Sequence, residues 1–71
     1  MTDLNNERLR IGRKIAELRK EKGLSQVALA EKVNLKPSYI ARIELGQHST
    51  GIDLLSRIAE ALGARIEFVA D

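Results

Sequence analysis

The chain holds 71 residues, 44% of them apolar and 31% charged, with a formal net charge of +2, one histidine and no cysteine. That length allows one small domain, whose core must come from packed aliphatics or a partner subunit because no disulfide or cysteine-held metal can brace it. Composition argues against a metal centre and a Cys/His or Ser/His/Asp nucleophile site, and the lack of any run of about 18 apolar residues argues against a membrane span.

The polar start, Met1-Thr2-Asp3-Leu4-Asn5-Asn6, carries no secretory leader pattern, so a cytoplasmic location is expected. A first helix is predicted over about residues 7–22, with Ile11, Ile15 and Leu18 on one stripe, Asn5 or Asn6 as its cap and Gly23 as its stop. Charge is uneven along the chain. Residues 1–22 hold seven basic side chains against four acids, whereas residues 51–71 hold Arg57 and Arg65 against Asp53, Glu60, Glu67 and Asp71. Such an asymmetry points weakly to an anionic partner for the basic end.

A second helix is predicted over about 25–33, with Ser25 at the N-cap and Leu24 and Leu29 at the spacing of a hydrophobic staple. Asn34 follows, a residue that tolerates the left-handed conformation of a sharp turn. Pro37 suits the first position of a third helix over about 37–45, in which Ile40 and Ile43 face inward and Gly46 ends the run. A fourth helix is predicted over about 51–62 behind a Thr50/Asp53 capping box, with Ile52, Leu55, Ile58, Ala59 and Leu62 as its buried stripe. Beyond Gly63 the period changes to two, Ile66, Phe68 and Ala70 alternating with Arg65, Glu67 and Val69, and a strand is predicted over about 65–69.

Two short helices joined by a three- or four-residue turn, the second with polar side chains at its exposed N-terminal end, form the unit that places its second helix in a DNA major groove. Here the chain resembles the lambda-repressor/Cro-like helix-turn-helix proteins, the XRE family. The resemblance runs over roughly residues 8–63 and rests on four stretches: IAELRKEKGLSQ at 15–26, LAEKV at 29–33, PSYIARIELG at 37–46 and LSRIAEALG at 55–63. It implies an all-α fold, a lambda-repressor-like bundle of four to five elements with a short C-terminal β-strand, and a dimer that binds double-stranded DNA to regulate transcription.

Residue by residue, the resemblance implies for Gln26, at the start of the second helix, a phosphate contact and a brace on the recognition helix. Pro37, Ser38 and Arg42 match base-facing positions, with Lys36 and Tyr39 beside them, and Arg42 is the leading base reader because a guanidinium bonds both O6 and N7 of guanine. Ser38 can equally be a helix-start residue, and Tyr39 either reaches a phosphate or packs on the second helix. Gln47 lies in the loop where further phosphate contacts are made, and His48 reads as a solvated loop residue. The basic run Arg8, Arg10, Arg13 and Lys14 reads first as a solvated face. Arg19 and Glu44 match a structural ion pair joining the first and third helices. Lys36 stands where a capping side chain would be usual, which forgoes about 1 kcal/mol.

A lone strand needs a partner. Pairing with its own copy across a two-fold axis would bury Ile66 and Phe68 and supply the symmetry that a pseudo-palindromic operator demands. In this tail the chain is similar to antitoxins of the HigA/HipB type. Two function classes stay open: a stand-alone homodimeric transcriptional regulator, and an antitoxin that masks a toxin protein and autoregulates its operon. Neither needs a cofactor, and no constellation supports an enzyme.

Overall fold

The computed structural model describes residues 3–71; the polar start therefore lies partly, at Met1 and Thr2, outside the described residues. Its elements are α1 (Leu4–Glu21), α2 (Gln26–Val33), α3 (Pro37–Glu44) and α4 (Ile52–Ala61). None of these helices is long and apolar enough to cross a membrane.

Helix α1 starts three residues earlier than its apolar stripe suggests. Asp3, rather than Asn5 or Asn6, is the cap, its carboxylate accepting from the Asn5 N–H at 2.8 Å. An acid at that end is also the better choice for the positive pole of the helix. The helix stops where expected: the N–H groups of Gly23 and Leu24 return to the carbonyls of Lys20 and Arg19 at 2.9 and 3.0 Å. Ser25 caps α2 through Ala28 N–H at 3.0 Å.

The turn between α2 and α3 is built on Asn34, at φ 59° and ψ 48°. This left-handed residue lets Leu35 N–H reach back to Ala30 at 2.9 Å, and Leu35 then packs against the core. Pro37 occupies the first turn of α3, and Lys36 provides no side-chain cap.

The core joins Ile15, Leu29, Ala30, Val33, Ile40, Ile43, Ile58 and Leu62, with Ile11, Leu18, Leu24 and Leu35 packed around it. Burying each of the larger aliphatics contributes about 1.5–3 kcal/mol. Helix α3 packs on both α1 and α2, and α4 packs on α2. Two glycines permit the closest approaches. A Cβ at Gly12 would stand 2.7 Å from the Glu44 carbonyl oxygen and nearer still to that of Ile43, so α1 and α3 meet backbone to backbone. Gly46, at φ +72°, ends α3 against the Leu9 backbone, where a Cβ would come within 2.8 Å of Cα.

Across the same α1–α3 contact lies a buried ion pair. Arg19 and Glu44 are each only 8% exposed, and the guanidinium donates to the carboxylate twice, Nε to Oε2 at 2.7 Å and Nη2 to Oε1 at 3.1 Å. The hydrogen bond to Glu44 holds the Arg19 pKa above its ordinary value, against the opposing effect of burial.

Three expectations are corrected in the C-terminal third. Gly51, not Thr50, is the α4 N-cap, and no side chain caps the helix. Thr50 sits one residue too early for a capping box, and its Oγ1 is buried with no hydrogen-bond partner among the described residues. Ile52 is 63% exposed rather than part of the buried stripe; Leu54 and Leu55 pack against the core instead. Residues 65–69, predicted as a strand, form none. The tail leaves α4 without meeting another extended segment, and alternation of side chains cannot make a ladder without one.

Two stability measurements follow from the α1–α3 contact. Gly12→Ala should lower stability by about 2 kcal/mol or more in thermal or urea unfolding, because overpacking against backbone outweighs the roughly 1 kcal/mol that alanine usually gains in a helix. Glu44→Ala should cost about 3–5 kcal/mol by stranding Arg19, whereas Arg19→Met combined with Glu44→Met should leave stability nearly unchanged or raised. An equal loss in the single and paired variants would contradict that account.

Candidate nucleic-acid interface

The surface built by α2, the Asn34 turn and α3 gathers most of the side chains that the sequence singles out. Ile40 and Ile43 tie α3 to the core, so the opposite side of the helix is left to solvent. Pro37, Ser38 and Arg42 are all exposed there, as is Lys36 just before the helix. Ser38 and Arg42, four residues apart, share one face and are close enough to address one ligand together. Helix α3 also shows no negative charge to solvent. Its one acid, Glu44, is turned inward onto Arg19, so the exposed ionised groups on and before the helix are the cations Lys36 and Arg42.

Gln26 opens α2 and is half-buried. Its Nε2 donates to Glu44 Oε1 at 3.0 Å. Since a carboxylate accepts only, this contact sets which end of the amide faces inward. The first turn of α2 adds the positive pole of a helix beside it, and Ser25 satisfies one of its free N–H groups. Val27, the next residue, is 51% exposed, an apolar point on an otherwise polar edge.

Tyr39 and His48 depart from a purely surface role. The Tyr39 ring is half-buried, packs against the core and meets the His48 ring edge to face, with centroids 4.5 Å apart and planes at 63°. His48 is thus a packing residue of the loop rather than a solvated one. The Gln47 side chain is exposed, and its backbone N–H donates to the Arg42 carbonyl at 2.9 Å, which fastens the loop to the end of α3.

The basic run on α1 is largely occupied by its own helix. Arg10 is bidentate on Glu7 at 2.7 and 2.9 Å, Lys14 approaches Glu17 at 3.5 Å, and Arg8 donates to Asn5 at 3.1 Å. The Arg10 hydrogen bond holds the Glu7 carboxyl below its ordinary pKa. These pairs are exposed and contribute little to stability, but they lower the positive potential that α1 offers.

Away from this surface, Ile66 is 37% and Phe68 99% exposed. The tail borders a groove of about 770 Å³, floored by Ile11, Ile15 and Leu18 of α1 and by Leu55, Ala59 and Leu62 of α4. Sequence reasoning missed Arg57, whose Nη2 donates at 2.7 Å to the Val33 carbonyl and so closes the end of α2 from α4. For Gln26 it anticipated a brace on the third helix but not that Glu44 is the partner. Both contacts span elements distant in sequence, and no local spacing signals them.

Comparison with known proteins agrees with this geometry. A helix-turn-helix family model, HTH_3, matches residues 15–69. The immunity repressor protein of Bacillus phage phi105 is 41% identical over 59 residues, 83% of this chain and 41% of the repressor. The transcriptional regulator RamB of Mycobacterium tuberculosis is 37% identical over 60 residues, 84% of this chain and 13% of RamB. The chain thus spans less than half the length of either relative. Among solved structures, the restriction-modification controller protein C.AhdI of Aeromonas hydrophila superposes with a TM-score of 0.83 at 33% identity, covering 90% of this chain and 93% of C.AhdI. The clp gene regulator ClgR of C. glutamicum gives 0.81 at 30% identity, covering 83% of this chain and 76% of ClgR. By its family match and by a fold shared along almost the whole of C.AhdI, the chain belongs to the lambda-repressor/Cro-like helix-turn-helix family.

Proposed function

We propose that this chain is a sequence-specific DNA-binding transcriptional regulator that acts as a homodimer, with α3 in the major groove. The observation that carries this reading is the division of α3 into two sides, Ile40, Ile43 and Glu44 buried and Pro37, Ser38 and Arg42 exposed. The names of the relatives, a phage repressor and bacterial regulators, support it. In this scheme Arg42 reads a guanine through O6 and N7, Ser38 bonds an adjacent base edge and Pro37 offers apolar contact to a thymine methyl. Gln26, Lys36, Tyr39 and Gln47 hold the sugar-phosphate backbone and set the register of α3.

Dimerisation is assigned to the tail. Phe68 is an aromatic ring almost fully in water, beside an apolar groove between α1 and α4. Covering that surface with a second copy removes the exposed apolar area and provides two recognition helices related by symmetry, spaced by roughly 34 Å or a multiple. The same exposed ring favours a second reading, in which a toxin protein covers the tail and the chain is its antitoxin.

Selection of bound sites from a random DNA pool, at stated salt, should return a short pseudo-palindrome. Arg42→Ala should then lose about 1–3 kcal/mol of affinity and relax preference at one position of each half-site; unchanged affinity and preference would remove Arg42 as the base reader. Replacing Ile66 and Phe68 together by aspartate should give a folded monomer in light scattering. A dimer that survives this change would place the interface elsewhere, and a dimer displaced by a purified neighbouring gene product would favour the antitoxin reading.

A further inference from the structure

We propose that DNA binding by this chain is coupled to proton uptake at His48, so that affinity for its site rises as pH falls through the imidazole range. The inference rests on the DNA-binding reading above and concerns how that binding is regulated. His48 stands in the loop Gln47-His48-Ser49-Thr50, which holds no lysine or arginine, so an imidazolium is the only positive charge that the loop's side chains can carry. It is also the one histidine of the chain. Histidine is the side chain whose charge ordinarily changes between about pH 5 and 8.

The fold places that charge beside the recognition helix. The Gln47 N–H, donating to the Arg42 carbonyl at 2.9 Å, turns the loop back along the end of α3. His48 then meets Tyr39 with ring centroids 4.5 Å apart. Tyr39 lies three residues before Arg42, which makes the two neighbours on the helix surface. The imidazole is half-buried, so it is held in place yet still reaches water. Protonation keeps the contact with Tyr39, because an aromatic ring attracts a cation within about 6 Å of its centroid.

The charges already around His48 are engaged with one another. It lines a hollow of about 220 Å³ with Glu7 and Arg8 of α1, its own loop neighbours Ser49 and Thr50, and Leu55 of α4. Glu7 is bonded to Arg10, and Arg8 to Asn5, all within α1. The Arg10 hydrogen bond lowers the Glu7 pKa, so that acid stays ionised wherever an imidazole titrates. On α3 the nearby groups are the Tyr39 ring and the exposed Arg42 guanidinium. Helix α4 adds no charge to the hollow; the acid of its first turn, Asp53, is exposed. Phosphates brought alongside α3 are then the large change in field when DNA binds, and they favour the imidazolium over the neutral ring. Linkage makes the effect reciprocal: a chain protonated at His48 binds more tightly. The gain is complete at pH values below the titration of the free chain and is lost as pH rises through that of the complex.

Affinity for the selected site, measured at constant ionic strength between about pH 5.5 and 8.5, tests the coupling. The full chain should bind roughly tenfold more tightly at the acidic end, the effect of about one pH unit between the free and bound titrations. His48→Gln should show no pH dependence and should fall below the full chain at the acidic end by the same factor. His48→Lys, charged throughout, should bind as tightly at the alkaline end as at the acidic end. A flat profile for the full chain, or a pH dependence that survives in His48→Gln, would overturn the proposal.

The unmodified chain gives an independent measurement, since nuclear magnetic resonance follows a single imidazole. Its titration midpoint should move to higher pH when the selected site is bound. An unmoved midpoint would overturn the coupling even if both variants failed to fold. Absence of salt-dependent DNA binding at every pH would remove the DNA reading and this proposal together, whereas binding that is indifferent to pH removes the proposal alone.

Discussion

Arg19 is the point from which the arrangement of the first three helices can be understood. One side chain rooted in α1 holds the turn that launches α2 and the acid that ends α3. Taking a guanidinium and a carboxylate out of water costs several kcal/mol per ion, and only near-complete hydrogen bonding offsets it. That requirement fixes geometry more strictly than aliphatic packing would, because apolar contacts tolerate sliding and bidentate bonds do not. The backbone contact at Gly12 works alongside it. Without a Cβ in the way, α1 and α3 close up, and the long side chains at 19 and 44 meet at bonding distance.

The same pairing shapes the electrostatics of the exposed surface. A glutamate on a helix meant to face a polyanion is a liability if it looks outward. Turned inward, it is neutralised and leaves Lys36 and Arg42 to set the sign of that surface. Net charge describes this poorly. The chain carries only +2, and several of its α1 cations are bonded to neighbours on their own helix.

Much of the helical frame could be read from the residues, because its signals are local. Gly23, Ser25, Asn34 and Pro37 each act within a few positions, through backbone conformation or a nearby N–H, and each does so in the structure. The Ile and Leu stripes that depend on a helical period also mark most of the core. Reading failed where several local signals competed. Asp3, Asn5 and Asn6 are all capable caps, and Thr50, Gly51 and Asp53 offer two registers for the start of α4; tertiary fit, invisible in spacing, selects among them. It failed again where a partner decides the outcome. Alternation at 65–69 sorts side chains onto two sides but says nothing about what lies beside the backbone. At the site, the exposure of Pro37, Ser38 and Arg42 was legible, whereas the packing of His48 on Tyr39, the choice of Glu44 as the partner of Gln26 and the link from Arg57 to Val33 were not.

The contact between Tyr39 and His48 has an optical consequence. The chain contains one tyrosine and no tryptophan, so its ultraviolet emission comes almost wholly from a single ring near the start of α3. That ring touches an imidazole from the following loop and stands within a few residues of Ser38 and Arg42. A change in the surroundings of that ring, at the start of α3 or in the loop that carries His48, alters the signal directly. The protein thus carries, without any added dye, a single fluorophore on α3, beside the exposed side chains of Ser38 and Arg42.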